Sequence, residues 1–386
     1  ALYRQSNERV LELLAMTGVT GWLNRTDLDW AWYPKHLLMN PPQKMRSLAA
    51  LPGAVETTPL GSWSVTTLEP DIRQPLWMAS TSLTWVQGPQ NVMMDLLNLN
   101  VALRDQIWML EESAPLDVKK ADVAAITHQA VVKIPAISSS TIVKNSGWIV
   151  DPKESPEGRI FTGQRIRTNG EITYSVRAPV SGTYEMLIYA QVGREHGAVE
   201  VRVDDRVLAS KISTDQVPAK PFDARYLSAG NVQLTQGKHT VTLKSLAPNG
   251  GDAVVIIRSL FFLAHGKTPA SASAVAFQRK TPTRLMVDVP ESLNGQWLSF
   301  AEPYHRGWRL RTEKGEWINT THVPVNGTGQ AWWIPVGTAS RIEAVFWPQR
   351  LLIIGAGISL ATLLAMFLFF GYSKGRSHLH LFTSSR

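Results

Sequence analysis

Between residues 146 and 263 apolar side chains recur at every second position. Ile172-Tyr174-Val176, Tyr184-Met186-Ile188, Val199-Val201-Val203, Val241-Leu243 and Val254-Ile256 each alternate with polar neighbours. That is the period at which successive side chains point to opposite faces of a strand. Turn-forming pairs fall between the runs: Asn169-Gly170, Ser181-Gly182, Asp204-Asp205, Gln236-Gly237 and Asn249-Gly250. Short strands punctuated in this way predict a β-sandwich over residues 146–265. A stretch of small residues, 266–274 (GKTPASASA), follows it as a linker.

The pattern differs on either side. Residues 2–16 carry helical apolar spacing that Gly18 ends, and residues 19–23 form a short strand. Prolines 34, 41, 42, 52, 59, 70 and 75 predict irregular chain through the next sixty or so residues. Order returns with a strand over 76–86, a helix over about 91–103 and a strand over 107–110. Residues 1–145 therefore make a mixed α/β domain. After the linker, strands over 284–289, 296–300, 308–311, 331–334 and 341–346 predict a small β-rich unit, 274–348. Its size is marginal for a core of its own, so it is expected to pack with residues 1–145.

One run belongs to neither period. Residues 351–371, LLIIGAGISLATLLAMFLFFG, contain no charge and only Ser359 and Thr362 as polar side chains. At about 1.5 Å per residue they make a helix of about 30 Å, the thickness of a bilayer's hydrocarbon core. Residues 351–372 are the expected transmembrane helix, from Leu351 past Phe370, with Trp347 and Tyr372 as interfacial aromatics and Lys374 just beyond. The short tail, 373–386, has no core of its own and is expected in the cytoplasm, with the body extracytoplasmic (periplasmic); the flanking cations, three after the span against two before it, favour that side only narrowly. The fold class is thus mainly β with a mixed α/β N-terminal part, a jelly-roll-like sandwich, a small β-rich unit and one C-terminal membrane helix.

Composition narrows the function more by exclusion than by indication. The chain has 386 residues, 44% apolar and 18% charged, with a net charge of +8. The positive excess gathers in residues 265–350 and in the tail, where anionic headgroups would attract it. No basic run interleaves with aromatics, so nucleic acid is not an expected partner. The absence of cysteine removes disulfides, thiolate catalysis and thiolate metal sites. No phosphate loop, Gly-x-Ser-x-Gly elbow or HExxH spacing occurs, so neither a cofactor nor a metal is implied. Asp27 and Asp29 are spaced as paired carboxylates, but an Asn-Arg-Thr-Asp run after a strand is more often a turn or helix cap. His378 and His380 lie two apart in the tail, which is no structural metal spacing.

Short motifs near the C-terminus carry a resemblance. LSFAEPYHRGWRLRTEKGEW and HVPVNGTGQAWWIPVGTASRIEAVFWP, followed by the membrane helix, resemble the C-terminal extracytoplasmic region of bacterial GT-C-type polytopic membrane glycosyltransferase-like proteins. The matching positions are Tyr304, Gly307, Trp308, Asn326, Gly327, Pro335, Gly337 and Pro348, with Arg306 where the family commonly has proline. Arg25, Asp27 and Asp29 match the family's N-terminal element more loosely. In those enzymes the catalytic acid lies in loops between N-terminal membrane helices, a portion this chain does not include. The resemblance therefore implies no catalytic residue here and no enzyme in this chain alone, though the chain fits the tail of one.

The sandwich resembles jelly-roll carbohydrate-binding modules, through GTYEMLIYAQV, VEVRVDDRVL and a Gly-x-His-x-Val-x-Leu strand at residues 237–243. That implies an inserted sugar-binding module, with Tyr189, Phe222 and Tyr226 as loop aromatics and Glu195, His196, Asn249 and Asp252 as hydroxyl partners. The alternative for the same residues is strand-end packing. Two readings of the whole follow. One is a membrane-anchored accessory body engaging glycan or glycolipid. The other is a non-catalytic structural subunit that docks on a larger membrane complex through its helix, where Gly355-x-x-x-Ser359 allows close approach.

Overall fold

The computed structural model describes residues 11, 14, 15, 19, 21–25, 50, 53–60, 63–69, 75–89, 92–99, 106–113, 129–152, 159–162, 170–219, 223–246, 254–264, 272–292, 294–338 and 340–382. Its described strands begin with Gly21–Arg25 (β1), Ala54–Leu60 (β2), Trp63–Leu68 (β3), Trp77–Ser80 (β4) and Thr84–Gln87 (β5). Helix Val92–Asn98 (α1) leads to Trp108–Leu110 (β6), Gln129–Pro135 (β7), Ile142–Ser146 (β8), Ile149–Asp151 (β9) and Arg159–Thr162 (β10). Then come Glu171–Ala178 (β11), Gly182–Gln191 (β12), Ala198–Val203 (β13), Arg206–Ser213 (β14), Ala224–Leu234 (β15), Gly237–Leu246 (β16) and Val255–Ala264 (β17). The last group is Ser273–Ala274 (β18), Phe277–Thr281 (β19), Arg284–Asp288 (β20), Gln296–Phe300 (β21), Trp308–Thr312 (β22) and Trp317–Ile318 (β23). His322–Val325 (β24), Gly329–Ile334 (β25) and Arg341–Phe346 (β26) complete the strands, and helix Pro348–Phe382 (α2) follows.

The sandwich is built from two sheets. One runs β14-β13-β16-β11-β8; the other runs β15-β12-β17-β7-β5-β6, with β10 pairing β17 and β9. The alternating residues read from the sequence supply the inner faces: Ile172, Tyr174, Tyr184, Met186, Val201, Val241 and Leu243 are fully buried. Tyr174 keeps its hydroxyl satisfied in that core by donating to Ala136 O at 2.9 Å. Asp204 and Asp205 both take left-handed backbone (φ 48° and 63°) as the two-residue turn between Val203 and Arg206. That is the geometry matched to the twist of a hairpin.

Four expectations are corrected. The sandwich does not begin at residue 146: β7 lies beside β17, and β8 beside β11, so its sheets recruit residues 129–146. The second sheet also continues into β5 and β6, the parallel strands on either side of α1 in sequence. Sandwich and α/β segment thus share one hydrogen-bonded sheet. The strand expected over 76–86 is two strands in different sheets, broken where Ser82 N donates to Ser80 Oγ at 3.1 Å. The proline-rich stretch holds an antiparallel sheet, β1-β3-β2, with Pro59 on the edge strand β2, where a missing donor is tolerated.

The expected helix over 2–16 is described only at residues 11, 14 and 15, all helical, and Asp27 and Asp29 lie outside the described residues. The C-terminal helix runs on through residues expected to be tail, as far as Phe382.

The chain divides into two compact units whose segments interleave. The first contains residues 1–275, 292–304 and 320–338; the second contains 276–291, 305–319 and 339–386. Within the first, a sheet ordered β18-β4-β21-β25-β24 joins segments more than 200 positions apart in sequence. The turn after β24 explains one motif: Asn326, at φ 51°, pairs with Trp108 through both its backbone N–H and its side-chain oxygen (2.8 and 2.9 Å). Trp77, Phe300 and Trp332 stack on one face of this sheet, with His322 on Trp332 at 4.5 Å. In the second unit, a sheet ordered β19-β20-β26-β22-β23 runs straight into α2. Its central Glu343 is held by Arg284 and Arg311.

Candidate functional site

The sugar-site residues fall into two neighbouring groups. Tyr189 and Tyr226 face each other across β12 and β15, their rings stacked at 4.6 Å, and Tyr226 sets its edge against Phe261 at 5.5 Å. They are strand residues, not loop aromatics, which corrects their expected placement. They lie on the face of the large sheet opposite the sandwich interior, where Val92, Met93 and Leu96 of α1 pack with Leu187 and Phe261. Tyr226 donates its hydroxyl to Asp95 Oδ1 at 2.7 Å, and Lys133 Nζ contacts the other oxygen, Oδ2, at 2.5 Å. Lys133 is fully buried and its ammonium lies 5.6 Å from the Phe261 ring centre. Burial, then the Asp95 carboxylate, pushes the Tyr226 phenol far above its usual range. One edge of this aromatic pair is therefore committed to a protein network.

Glu195 and His196 sit in the connection beyond the end of β12, whose last residue, Gln191, is two strand positions (roughly 7 Å) past Tyr189. The connection they occupy is stapled to its neighbours by backbone hydrogen bonds. Gly193 N donates to Thr214 O at 3.1 Å, Gln216 N to Gly193 O at 3.2 Å, and Gly197 N to Val254 O at 3.0 Å. Glu195 takes φ 63° and donates its N–H to Asp215 Oδ1 at 2.9 Å, leaving its carboxylate exposed. His196 folds back so that Nδ1 donates to Gln191 O at 3.3 Å. A β-carbon on Gly193 would come within 2.6 Å of its Nε2, so only glycine admits this ring position.

Sequence reading missed the groups that hold this end together. Arg225 forks onto Asp223 Oδ2 (3.1 and 2.9 Å), Gln216 Oε1 (3.0 Å) and Val217 O (3.2 Å). The signal available was Asp-Ala-Arg at 223–225, two charges on one strand face, which alone specifies nothing. The structure thus brings Tyr189 and Tyr226 together, and Glu195 and His196 into one turn nearby. Phe222, Asn249 and Asp252 lie outside the described residues. Among the described residues no three His, Cys, Asp or Glu side chains group as a metal site.

At the membrane anchor, residues Pro348–Phe369 form a span of mean hydropathy 2.5 with none of it buried by protein. Leu351 is exposed along it; Phe370, Tyr372 and Lys374 continue the helix backbone. Trp347 N donates to Gly307 O at 2.8 Å, and a β-carbon on Gly307 would meet Pro348 Cγ at 2.5 Å. The Tyr-x-x-Gly-Trp turn is thus built to back onto the first residue of the helix.

No family model matches the chain. Over 141 residues it is 32% identical to "Alpha-(1->3)-arabinofuranosyltransferase" of Mycobacterium tuberculosis (strain ATCC 25618 / H37Rv), a match covering 34% of this chain and 10% of that protein. The chain therefore spans about a tenth of the length of this relative. Among solved structures, arabinofuranosyltransferase AftD from Mycobacteria aligns at 20% identity over 48% of this chain and 14% of that one, with a TM-score of 0.30. The C-terminal CBM6 of LamC from Zobellia galactanivorans aligns at 19% identity over 34% and 98%, with a TM-score of 0.27. A family 35 carbohydrate-binding module from an environmental isolate aligns at 19% over 36% and 97%, with a TM-score of 0.28. The resemblance read from the turn motifs thus agrees with a sequence relative that is, by name, a glycosyltransferase.

Proposed function

We propose that this chain is a membrane-anchored accessory body of an arabinofuranosyl-transferring system, which holds glycan beside the membrane without transferring sugar itself. The observation that carries the reading is the 32% identity to an arabinofuranosyltransferase over 141 residues. The apolar span at the C-terminus supports the anchoring, and the body is assigned to the periplasmic side with residues after the span in the cytoplasm. Contact with sugar is assigned to the sandwich end formed by Glu195, His196 and Asp215, beyond the strands that carry Tyr189 and Tyr226; Phe222, Asn249 and Asp252 remain candidates from the sequence that lie outside the described residues. Exposed carboxylates suit sugar hydroxyls, and an aromatic face suits sugar C–H groups.

Calorimetry of the detergent-solubilised full chain against arabinofuranosyl oligosaccharides tests this. Saturable binding that weakens at least tenfold in Glu195→Gln/Asp215→Asn is expected. Absence of heat for every oligosaccharide, with the protein still melting cooperatively, overturns the glycan reading. The second reading, a structural subunit of a larger membrane complex, is favoured by one observation: Gly355 and Ser359 lie one helical turn apart on the span, and small residues at that spacing let a second helix approach closely. Co-purification of a stoichiometric membrane partner would support that reading.

A further inference from the structure

The juxtamembrane sheet is polarised in charge along its strands. The register of β19, β20, β22 and β26 sets Thr281 opposite Arg284, Arg284 opposite Val345, and Trp308 opposite Phe346. The β19–β20 turn, the turn before β22 and the start of α2 therefore lie at one end of the sheet. Two further bonds fix this end: Phe346 N to Thr283 O at 2.9 Å and Trp347 N to Gly307 O at 2.8 Å.

Those three segments read RKTPTR (279–284), HRGWR (305–309) and VFWPQR (345–350). They carry six cations, Arg279, Lys280, Arg284, Arg306, Arg309 and Arg350, all exposed, and no carboxylate. The acidic residues Asp288, Glu291, Glu313 and Glu316 are at the opposite end, where Arg341 pairs with Asp288 and Glu313. Glu343, between the ends, is already engaged by Arg284 and Arg311. Lys280, Arg309 and Arg350 have no carboxylate partner among the described residues. Arg309 instead lies over the Trp347 ring at 5.6 Å, beside the residue where the span begins.

We infer that this end of the sheet docks on the headgroups of anionic phospholipids, with Lys280, Arg309 and Arg350 as its phosphate contacts and Trp347 as the interfacial wedge. The strand-borne cations fall within about three residues of the helix start, or roughly 10 Å. The headgroup layer is about 5–7 Å deep on each side, and charge is felt for about another 8 Å at physiological salt. All six cations are thus inside the reach of lipid phosphate, and the carboxylates are set away from it. The consequence is that the sheet sits flush on the bilayer instead of swinging on α2. This inference rests on the membrane anchoring alone and is independent of any glycan.

The test is hydrogen exchange of the full chain in nanodiscs of phosphatidylcholine alone or with a third phosphatidylglycerol. Amides of 279–284 and 305–309 are expected to exchange at least about fivefold slower in the anionic discs, and the difference to vanish at high salt. The variant Lys280→Gln/Arg309→Gln/Arg350→Gln is expected to lose that difference while keeping its thermal melt in detergent. Three results would overturn the inference: equal exchange in both lipids, retained lipid dependence in the triple variant, or the same slowing by inorganic phosphate in detergent. Co-elution with the nanodiscs reports anchoring separately, so failure of docking and failure of anchoring give different results.

Discussion

Two histidines set opposite pH limits on stability. His322 is half-buried between Trp332 and Tyr304, with Nε2 facing Gln330 Oε1 at 3.0 Å, and loss of solvent there depresses it to about 4. The folded state thus binds fewer protons than the unfolded state, where an ordinary His titrates near 6.5. Its contribution is complete above 6.5 and is lost as pH falls toward 4, by about 3 kcal/mol in all. His239 behaves in the opposite sense. Its two ring nitrogens face two acceptors, Asp204 Oδ2 at 2.6 Å and Thr235 O at 2.7 Å. Burial opposes the charged ring, but these acceptors outweigh it and raise the pKa above 6.5. That stability is complete below 6.5 and is lost as pH rises through the raised value. Asp204 is itself held below the carboxylate range; burial opposes this, and hydrogen bonds from His239 and Thr240 outweigh it, so it yields only in stronger acid. Melting temperature against pH should therefore peak near 6.5. His322→Phe should flatten the limb between pH 6.5 and 4.5, and His239→Gln the limb above. Unchanged limbs in both variants would show that these rings do not govern the profile.

At the scale of elements, α1 has only seven residues, too few to be stable alone, so it persists through what it packs against. Asp95 is its polar anchor, with Lys133 of β7 and Tyr226 of β15 both engaged on one carboxylate. Removing one partner strands a buried charge. Asp95→Ala should cost about 3–5 kcal/mol, whereas Asp95→Ala with Lys133→Met should recover most of that loss. Denaturant midpoints of the two variants provide the measurement, and simple additivity would sink the idea. The sequence made α1 and its flanking strands legible through their apolar spacing. It could not show that Lys133, in the buried run Gln129–Pro135, points at a helix residue 38 positions earlier. For the same reason Tyr189 and Tyr226 read as loop aromatics: alternation reports which face a residue is on, but not what covers that face. Edge strands such as β14 were missed because their exposure pattern, with Val207 outward, lacks clean alternation.

For the whole molecule, local pattern located strands well and domain borders poorly. Alternation begins cleanly after residue 146, yet hydrogen bonding ignores that point, because β7 completes the sheet on β17 and β8 completes the sheet on β11. Composition shifts mark where the period changes, whereas a folding unit ends where few contacts cross. A fragment of residues 146–265 would keep the alternating strands and lose β7 and β8. It would keep β12 and β10 on β17 but strip β7 from the edge Ser259–Leu263, a run with Phe261 and Phe262 that the intact chain buries completely. An unpaired apolar edge is a template for association. The fragment is therefore expected to aggregate or to melt without cooperativity, while one starting before residue 76 keeps β5, β6, β7 and α1 and covers both faces of β17. Sedimentation and calorimetric melts of the two fragments decide the matter. A soluble, cooperative 146–265 fragment would show that the sandwich is an autonomous insertion and that the shared sheet is incidental to its stability.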